Sequence, residues 1–329
     1  MPGRTKRSGN RRVTPDELVQ ELHRTVDGLA EDGASRADLK LLSRALRELR
    51  LAFRLFDTLR EHPKVTVFGS ARTTPGAPSF RQAEEFGREM ARLGWYVVTG
   101  AGEGVMKAAH LGAGRDHSIG VNILLPFEQA DNPVMAGNPR LIHTKYFFTR
   151  KLLFLKESSG IALFPGGFGT MDEAFETLTL LQTGKTHLFP LVLVEEPGGD
   201  YWAAWRKSVE ENLLGRNLIS PEDLSLFRIV ETVGDAVEEM QRFYRVYHSS
   251  RYVGNRLVIR LRRPLAPEGL EALNSGFADL LSEGTFRQGS ALAEEADDPE
   301  LAHMPRIVFG FNNKNFGRLR LLIDFLNRE

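Results

Sequence analysis

Residues 64–68, 95–99, 118–121, 141–143, 160–164, 190–194 and 228–230 are short, mostly apolar runs, the length and character of strands covered on both faces. Between them lie amphipathic stretches of helical period at 79–93, 105–112, 147–157, 170–183, 201–212 and 235–244. Strands that alternate with helices form parallel pairs through crossover connections. The pattern therefore predicts an α/β fold, a Rossmann-like doubly wound parallel sheet over residues 63–248. Ligands of such sheets sit beyond the carboxyl ends of the strands. The three glycine-bearing turns of this stretch, following residues 68, 99 and 164, all fall there.

The grammar differs on either side. Residues 14–62 predict a helical extension. Thr14 can cap, Pro15 suits a first helical position and Glu17 completes a capping box, after which Leu18, Leu22, Val26 and Leu29 mark one face. Gly33 ends that run. Leu39, Leu42, Leu46, Leu49, Phe53 and Phe56 then recur at spacings of three and four, a seam expected to pack on the main domain, with pairing to another subunit as the alternative. Past residue 249 the period falls to two, with Leu257, Ile259 and Leu261 alternating with Arg256, Arg260 and Arg262. A helix over 270–280, a loose acidic segment at 294–300, a strand over 306–311 and a helix over 318–327 complete a small α+β appendage at 249–329. Its sheet is too small to stand alone, so it is expected to dock.

Charge and composition remove whole classes of function. The 43 Lys and Arg balance 43 Asp and Glu, so no global field favours nucleic acid or a membrane surface, and neither is expected as a partner. Only residues 1–13 are one-sided: Arg4, Lys6, Arg7, Arg11 and Arg12 stand without an acid, the composition of a disordered basic tail. The 329 residues contain no cysteine, which removes disulfides and thiol chemistry and fits a reducing, cytoplasmic setting. No apolar run reaches the length of a bilayer span, and the chain opens without an apolar signal core. The eight histidines lack ligand spacing, so no metal is expected.

The chemistry concentrates in Pro165-Gly166-Gly167-Phe168-Gly169-Thr170-Met171-Asp172-Glu173. A strand that turns this sharply into a helix aims several backbone N–H groups one way, toward anything anionic. The amides of Gly167, Phe168, Gly169 and Thr170, with the Thr170 hydroxyl, can take a phosphate, and each glycine lacks a Cβ that would bar its approach. Asp172 and Glu173 are placed by the pattern in the first helical turn, where acids favour the helix dipole. A carboxylate beside a phosphate cradle cannot hold the phosphate, so the sugar or the bond next to it is the alternative target. Glu176, three residues on from Glu173, can share its face.

This motif resembles the PGGxGTxxE signature of the LOG (Lonely Guy) family of cytokinin riboside 5′-monophosphate phosphoribohydrolases, whose bacterial members were formerly labelled lysine decarboxylases. The stretch from Thr99 to Ala113, with Gly100, Gly102 and Gly104, is similar to the family's first glycine-rich loop, with Ala101 where a glycine is usual. Phe68-Gly69-Ser70 resembles its opening turn, and Arg150-Lys151 its Arg-Lys pair, preceded by Phe147-Phe148-Thr149 where the family often has Met-His-Glu. The likeness spans residues 64–245 and leaves both terminal segments outside.

The resemblance implies hydrolysis of the N-glycosidic bond of a purine-type nucleoside 5′-monophosphate, giving free base and ribose 5-phosphate, with no cofactor. It implies Glu173 and Arg150 as catalytic residues. Gly69, Ser70, Gly100, Gly102, Gly104, Glu128, Lys151, Gly166, Gly167, Phe168, Gly169, Thr170 and Thr179 are the implied substrate contacts. A homodimer or higher homo-oligomer is implied as well. Glu173 can stabilise the positive charge that develops on ribose, hold its hydroxyls or activate water. Arg150 can grip phosphate with its planar fork or bond the departing base. The other reading is a sensor or carrier that binds a nucleotide on this fold without cutting it. Pyridoxal-dependent decarboxylation would need a Schiff-base lysine, and none stands out near the glycine motif.

Overall fold

The seven apolar runs form β1 (Lys64–Phe68), β2 (Tyr96–Thr99), β3 (Ser118–Ile123), β4 (Leu141–Thr144), β5 (Gly160–Leu163), β6 (Leu191–Val194) and β7 (Arg228–Val230) in the computed structural model, which describes residues 13–123 and 131–329. All neighbours are parallel, in the order β4-β3-β2-β1-β5-β6-β7. The order reverses between β1 and β5, and a doubly wound sheet opens its crevice at that reversal. The helices are α1 (Pro15–Glu31), α2 (Arg36–Asp57), α3 (Pro78–Arg92), α4 (Val105–Ala113), α5 (Phe147–Glu157), α6 (Phe168–Gln182), α7 (Tyr201–Val209) and α8 (Val233–Phe243).

Alternation along the strands divides the core. Val65, Val67, Val97, Ala162, Val192 and Val194 face Phe80, Phe86 and Met90 of α3, Ala108 and Ala109 of α4 and Met240 of α8. Phe68, Val98, Val121, Ile161, Leu163 and Leu193 face Phe56 of α2, Leu153 and Phe154 of α5, and Ala174 and Leu181 of α6.

The C-terminal segment builds a second, antiparallel sheet from β8 (Tyr247–Val253), β9 (Arg256–Leu261), β10 (Leu281–Gly289) and β11 (Arg306–Phe311), ordered β10-β11-β9-β8, with α9 (Pro267–Gly276) and α10 (Phe316–Leu326). Buried polar groups lock it onto the first sheet. The Arg320 guanidinium of α10 meets the Glu239 carboxylate of α8, which also takes Arg228 and Arg242. The Asn327 side chain donates to the Phe243 carbonyl at 2.7 Å and accepts from the Val246 and Tyr247 amides. Losing one partner of such a buried ion pair typically costs about 3–5 kcal/mol.

Three expectations for the C-terminal segment change. The sequence pattern predicts neither β8 nor β10, because both are edge strands whose sequences, YHSSRYV and LSEGTFRQG, bury only two and one of their residues. The helix expected over 270–280 ends at Gly276 and passes through a short turn into β10. The acidic segment is not loose: Glu295 is buried and takes Arg260 at 2.7 Å and Arg306 at 3.2 Å, while Asp298 takes Arg260 and Arg251, each at 2.6 Å. The Arg260 hydrogen bond, aided by the nearby guanidinium charges, holds the Asp298 carboxyl below its ordinary range.

The N-terminal helices form as expected, with the Thr14–Glu17 capping box closed in both directions. The face that α2 buries differs from the leucine seam. It comprises Ala45, Glu48, Ala52 and Phe56, while Leu39, Leu42, Leu46 and Phe53 stay 40–54% exposed. No described helix is long and apolar enough to cross a membrane.

Candidate active site

The β1 and β5 turns are tied together before any ligand is considered. The Ser70 amide donates to the Pro165 carbonyl at 3.1 Å, and the Val105 amide of α4 donates to the Ser70 carbonyl at 3.1 Å. Gly104 has φ +66°, and a Cβ there would lie 2.2 Å from the Ser70 carbonyl oxygen, so only glycine lets the two turns approach. Ala101 takes a left-handed φ of 57°, the conformation natural to the glycine usual in the family at this place.

These turns enclose a cleft of about 850 Å³ at the reversal of strand order. Gly69 and Ser70 after β1, Gly100 and Gly102 after β2, Arg150 on α5, and Gly166, Gly167, Phe168, Gly169, Thr170 and Glu173 after β5 all line it. The site expected from sequence is thus brought into one space, with four exceptions. Gly104 is spent on the packing of turns. Lys151 is held outside the wall by Glu176 at 2.5 Å and Asp172 at 3.0 Å, which ties α5 to α6. Thr179 is exposed and donates its hydroxyl to the Phe175 carbonyl at 2.7 Å, away from the cleft. Glu128 lies outside the described residues.

Helix α6 starts at Phe168, two residues earlier than its period predicts, with Gly167 as N-cap and no side chain capping it. Its first amides are therefore left for an outside acceptor. A Cβ on Gly167 or Gly169 would meet nothing within 4 Å, and neither glycine has a left-handed φ. Packing within the chain therefore does not require those glycines, and both border the open cleft. Gly166 is different, since a Cβ there would fall 2.1 Å from the Thr170 hydroxyl.

The earlier helix start also moves Asp172 and Glu173 into the second turn, where the dipole offers an acid little. Glu173 is nonetheless buried, and that burial pushes its carboxyl up to about 7, against the opposing pull of the Lys151 and Arg150 charges. The Arg150 guanidinium lies over the Phe147 and Phe154 rings, 5.1 and 5.7 Å from their centroids. At Lys151 burial works to lower the pKa, but the hydrogen bonds to Glu176 and Asp172 prevail and raise it.

Three contributors carry no strong signal in the sequence. Tyr201 lines the cleft and donates its hydroxyl to the Gly166 carbonyl, fixing the motif turn from a helix far along the chain. Asn122, at the end of β3, lines the same wall. Glu48 reaches from α2 to the start of α5, accepting from the Lys145 amide and the Thr149 hydroxyl, each at 2.9 Å. A lone acid one position off a leucine seam gives no hint of this; only burial of its carboxylate does.

The fold and the cleft define an α/β protein with an uncapped helix N-terminus at the switch point of its sheet and a buried acid of raised pKa beside it. Residues 103–240 match the family model described as possible lysine decarboxylase. The cytokinin riboside 5′-monophosphate phosphoribohydrolase of Mycobacterium tuberculosis is 31% identical over 179 residues, covering 53% of this chain and 90% of that protein. The chain belongs to the LOG family. Solved structures overlap it at lower similarity. The molybdenum cofactor binding protein of Rippkaea orientalis is 19% identical, with TM-score 0.39, covering 55% of this chain and 96% of that one. DNA processing protein A of Helicobacter pylori is 16% identical, with TM-score 0.40, covering 57% and 83%.

Proposed function

We propose that the protein hydrolyses the N-glycosidic bond of a purine-type nucleoside 5′-monophosphate to free base and ribose 5-phosphate. The observation that carries the reading is the single cleft in which an uncapped helix N-terminus, a guanidinium and a buried carboxyl meet. The amides opening α6 take the phosphate, which fixes the ribose over Glu173. Cleavage leaves positive charge on the ribose, and the ionised Glu173 stabilises it or draws a proton from the attacking water. Arg150 meets the departing base or the phosphate. The aromatic wall of Phe68, Phe147 and Phe154, with Met106, suits a flat heterocycle.

No lysine lines the cleft among the described residues, so nothing there supports the Schiff base that the older decarboxylase description needs. Nucleoside monophosphates are intracellular metabolites, so the reading carries a cytoplasmic location with it. Membership of the family adds a homo-oligomer to the proposal. The test is incubation of the protein with a panel of nucleoside monophosphates and chromatography of released bases. Base and ribose 5-phosphate in equal amounts support the reading; tight nucleotide binding with no base released would replace it with a carrier or sensor.

A further inference from the structure

Helix α1 spans 17 residues and buries none of them. Leu18, Leu22 and Val26 run along it at one-turn intervals and are 50–55% exposed. An isolated helix of this length is marginal in water, and an apolar stripe in a folded protein ordinarily faces something. The leucine seam of α2 is in the same condition: the adjacent side is fixed to the body through Ala45, Glu48, Ala52 and the seam's last residue Phe56, and the seam from Leu39 to Phe53 faces outward. Within one copy the two stripes do not cover each other.

Their charges are complementary. Helix α1 carries Asp16, Glu17, Glu21, Asp27 and Glu31 against Arg24 alone. Helix α2 carries Arg36, Lys40, Arg44, Arg47, Arg50 and Arg54 against Asp38, Glu48 and Asp57. Their lengths match as well. At the helical rise α1 is roughly 25 Å long and the exposed seam from Leu39 to Phe53 roughly 21 Å.

We infer that α1 of one copy lies along the α2 seam of a second copy, and the reverse, in a two-fold arrangement. Such a contact is self-complementary and closed, as a symmetric dimer requires. Acid-rich and base-rich surfaces flanking an apolar stripe select this partner and its orientation. Both helices lie outside residues 103–240, so the surface belongs to this chain's own extension and not to the matched family region. The inference stands apart from the reaction proposed for the cleft and is read by association alone.

The absence of cysteine makes a clean test. A Leu22→Cys copy and a differently tagged Leu46→Cys copy, both near the middle of their stripes, are mixed in the full-length protein and treated with a short bis-maleimide. A covalent heterodimer carrying both tags is expected, reduced at least tenfold in 1 M salt or when Leu18→Asp and Val26→Asp are added to the first copy. Those two positions are exposed, so circular dichroism of the variant should match the parent. A double-cysteine chain that closes only within itself would show α1 folding back on its own α2, and the inference would fall. Absence of any cross-link between copies at concentrations where the protein is oligomeric by light scattering would overturn it equally.

Discussion

Substituting Glu173→Gln should cut activity sharply and make the protein more stable at alkaline pH. In the folded chain burial raises the Glu173 pKa to about 7, whereas the ordinary value is 4.5. Between those two pH values the native state binds more protons than the unfolded chain. Stability then falls as pH rises, and the protonated form's advantage is gone above about 7. A tenfold change in proton affinity is worth about 1.4 kcal/mol, so ionised Glu173 at pH 8 costs the fold on the order of 3 kcal/mol. Glutamine has the shape of the protonated acid and removes that cost. For a chain of this size the gain amounts to roughly 4 °C in Tm at pH 8, shrinking to nothing near pH 4.5.

The same carboxyl must be ionised to stabilise a ribose cation or accept a proton from water, so kcat/KM of the parent should rise through about pH 7 and level off above it. Glu173→Gln should lose at least about 100-fold in base release while still binding nucleotide. Differential scanning calorimetry at pH 5 and pH 8, beside a chromatographic assay across the same range, reads both effects. If the variant's Tm tracks the parent's at both pH values, burial does not raise this pKa. A variant that keeps full turnover would remove Glu173 from the chemistry.

Further variants separate the remaining parts of the site. Lys151→Met removes a positive charge that lowers the Glu173 pKa, so the rise in kcat/KM should move to higher pH, read from the same profile. Gly167→Ala places a methyl in open space at an unstrained φ, so urea unfolding should change by under about 1 kcal/mol while KM rises at least tenfold. Arg150→Lys keeps the charge but loses the planar fork that lies over the Phe147 and Phe154 rings, and kcat/KM should fall about 10–100-fold. Glu48→Ala strands the Lys145 amide at the head of α5 and leaves the Thr149 hydroxyl only the Tyr146 carbonyl; it should cost about 1–3 kcal/mol in urea and lower kcat more than nucleotide affinity.

The parts of this protein legible in its sequence are those whose cause is local. Apolar runs mark the strands of the parallel sheet, because most of their positions are buried against helices on both faces and the few polar ones, such as Thr66 and Asn122, do not break the runs. The same logic fails at β8 and β10, where edge position leaves too few buried residues to make a period. The turn proposed to take the phosphate is legible because a strand–glycine–helix turn makes its amides face one way whatever surrounds it. Features that escape a reading of the sequence arise where distant segments meet. Glu173 owes its raised pKa mainly to burial by the tertiary fold, with a smaller push from the neighbouring Glu176 and Asp172 charges. Tyr201 reaches Gly166 across 35 residues of sequence, and Glu48 reaches Thr149 across 101 and Lys145 across 97, through hydrogen bonds of their side chains. The leucine seam of α2 shows both sides of this rule: its spacing predicts a helix correctly, but spacing alone cannot tell which face the body takes. Glu48 decides that, since its carboxylate finds its donors only if the neighbouring face turns inward and leaves the leucines outside.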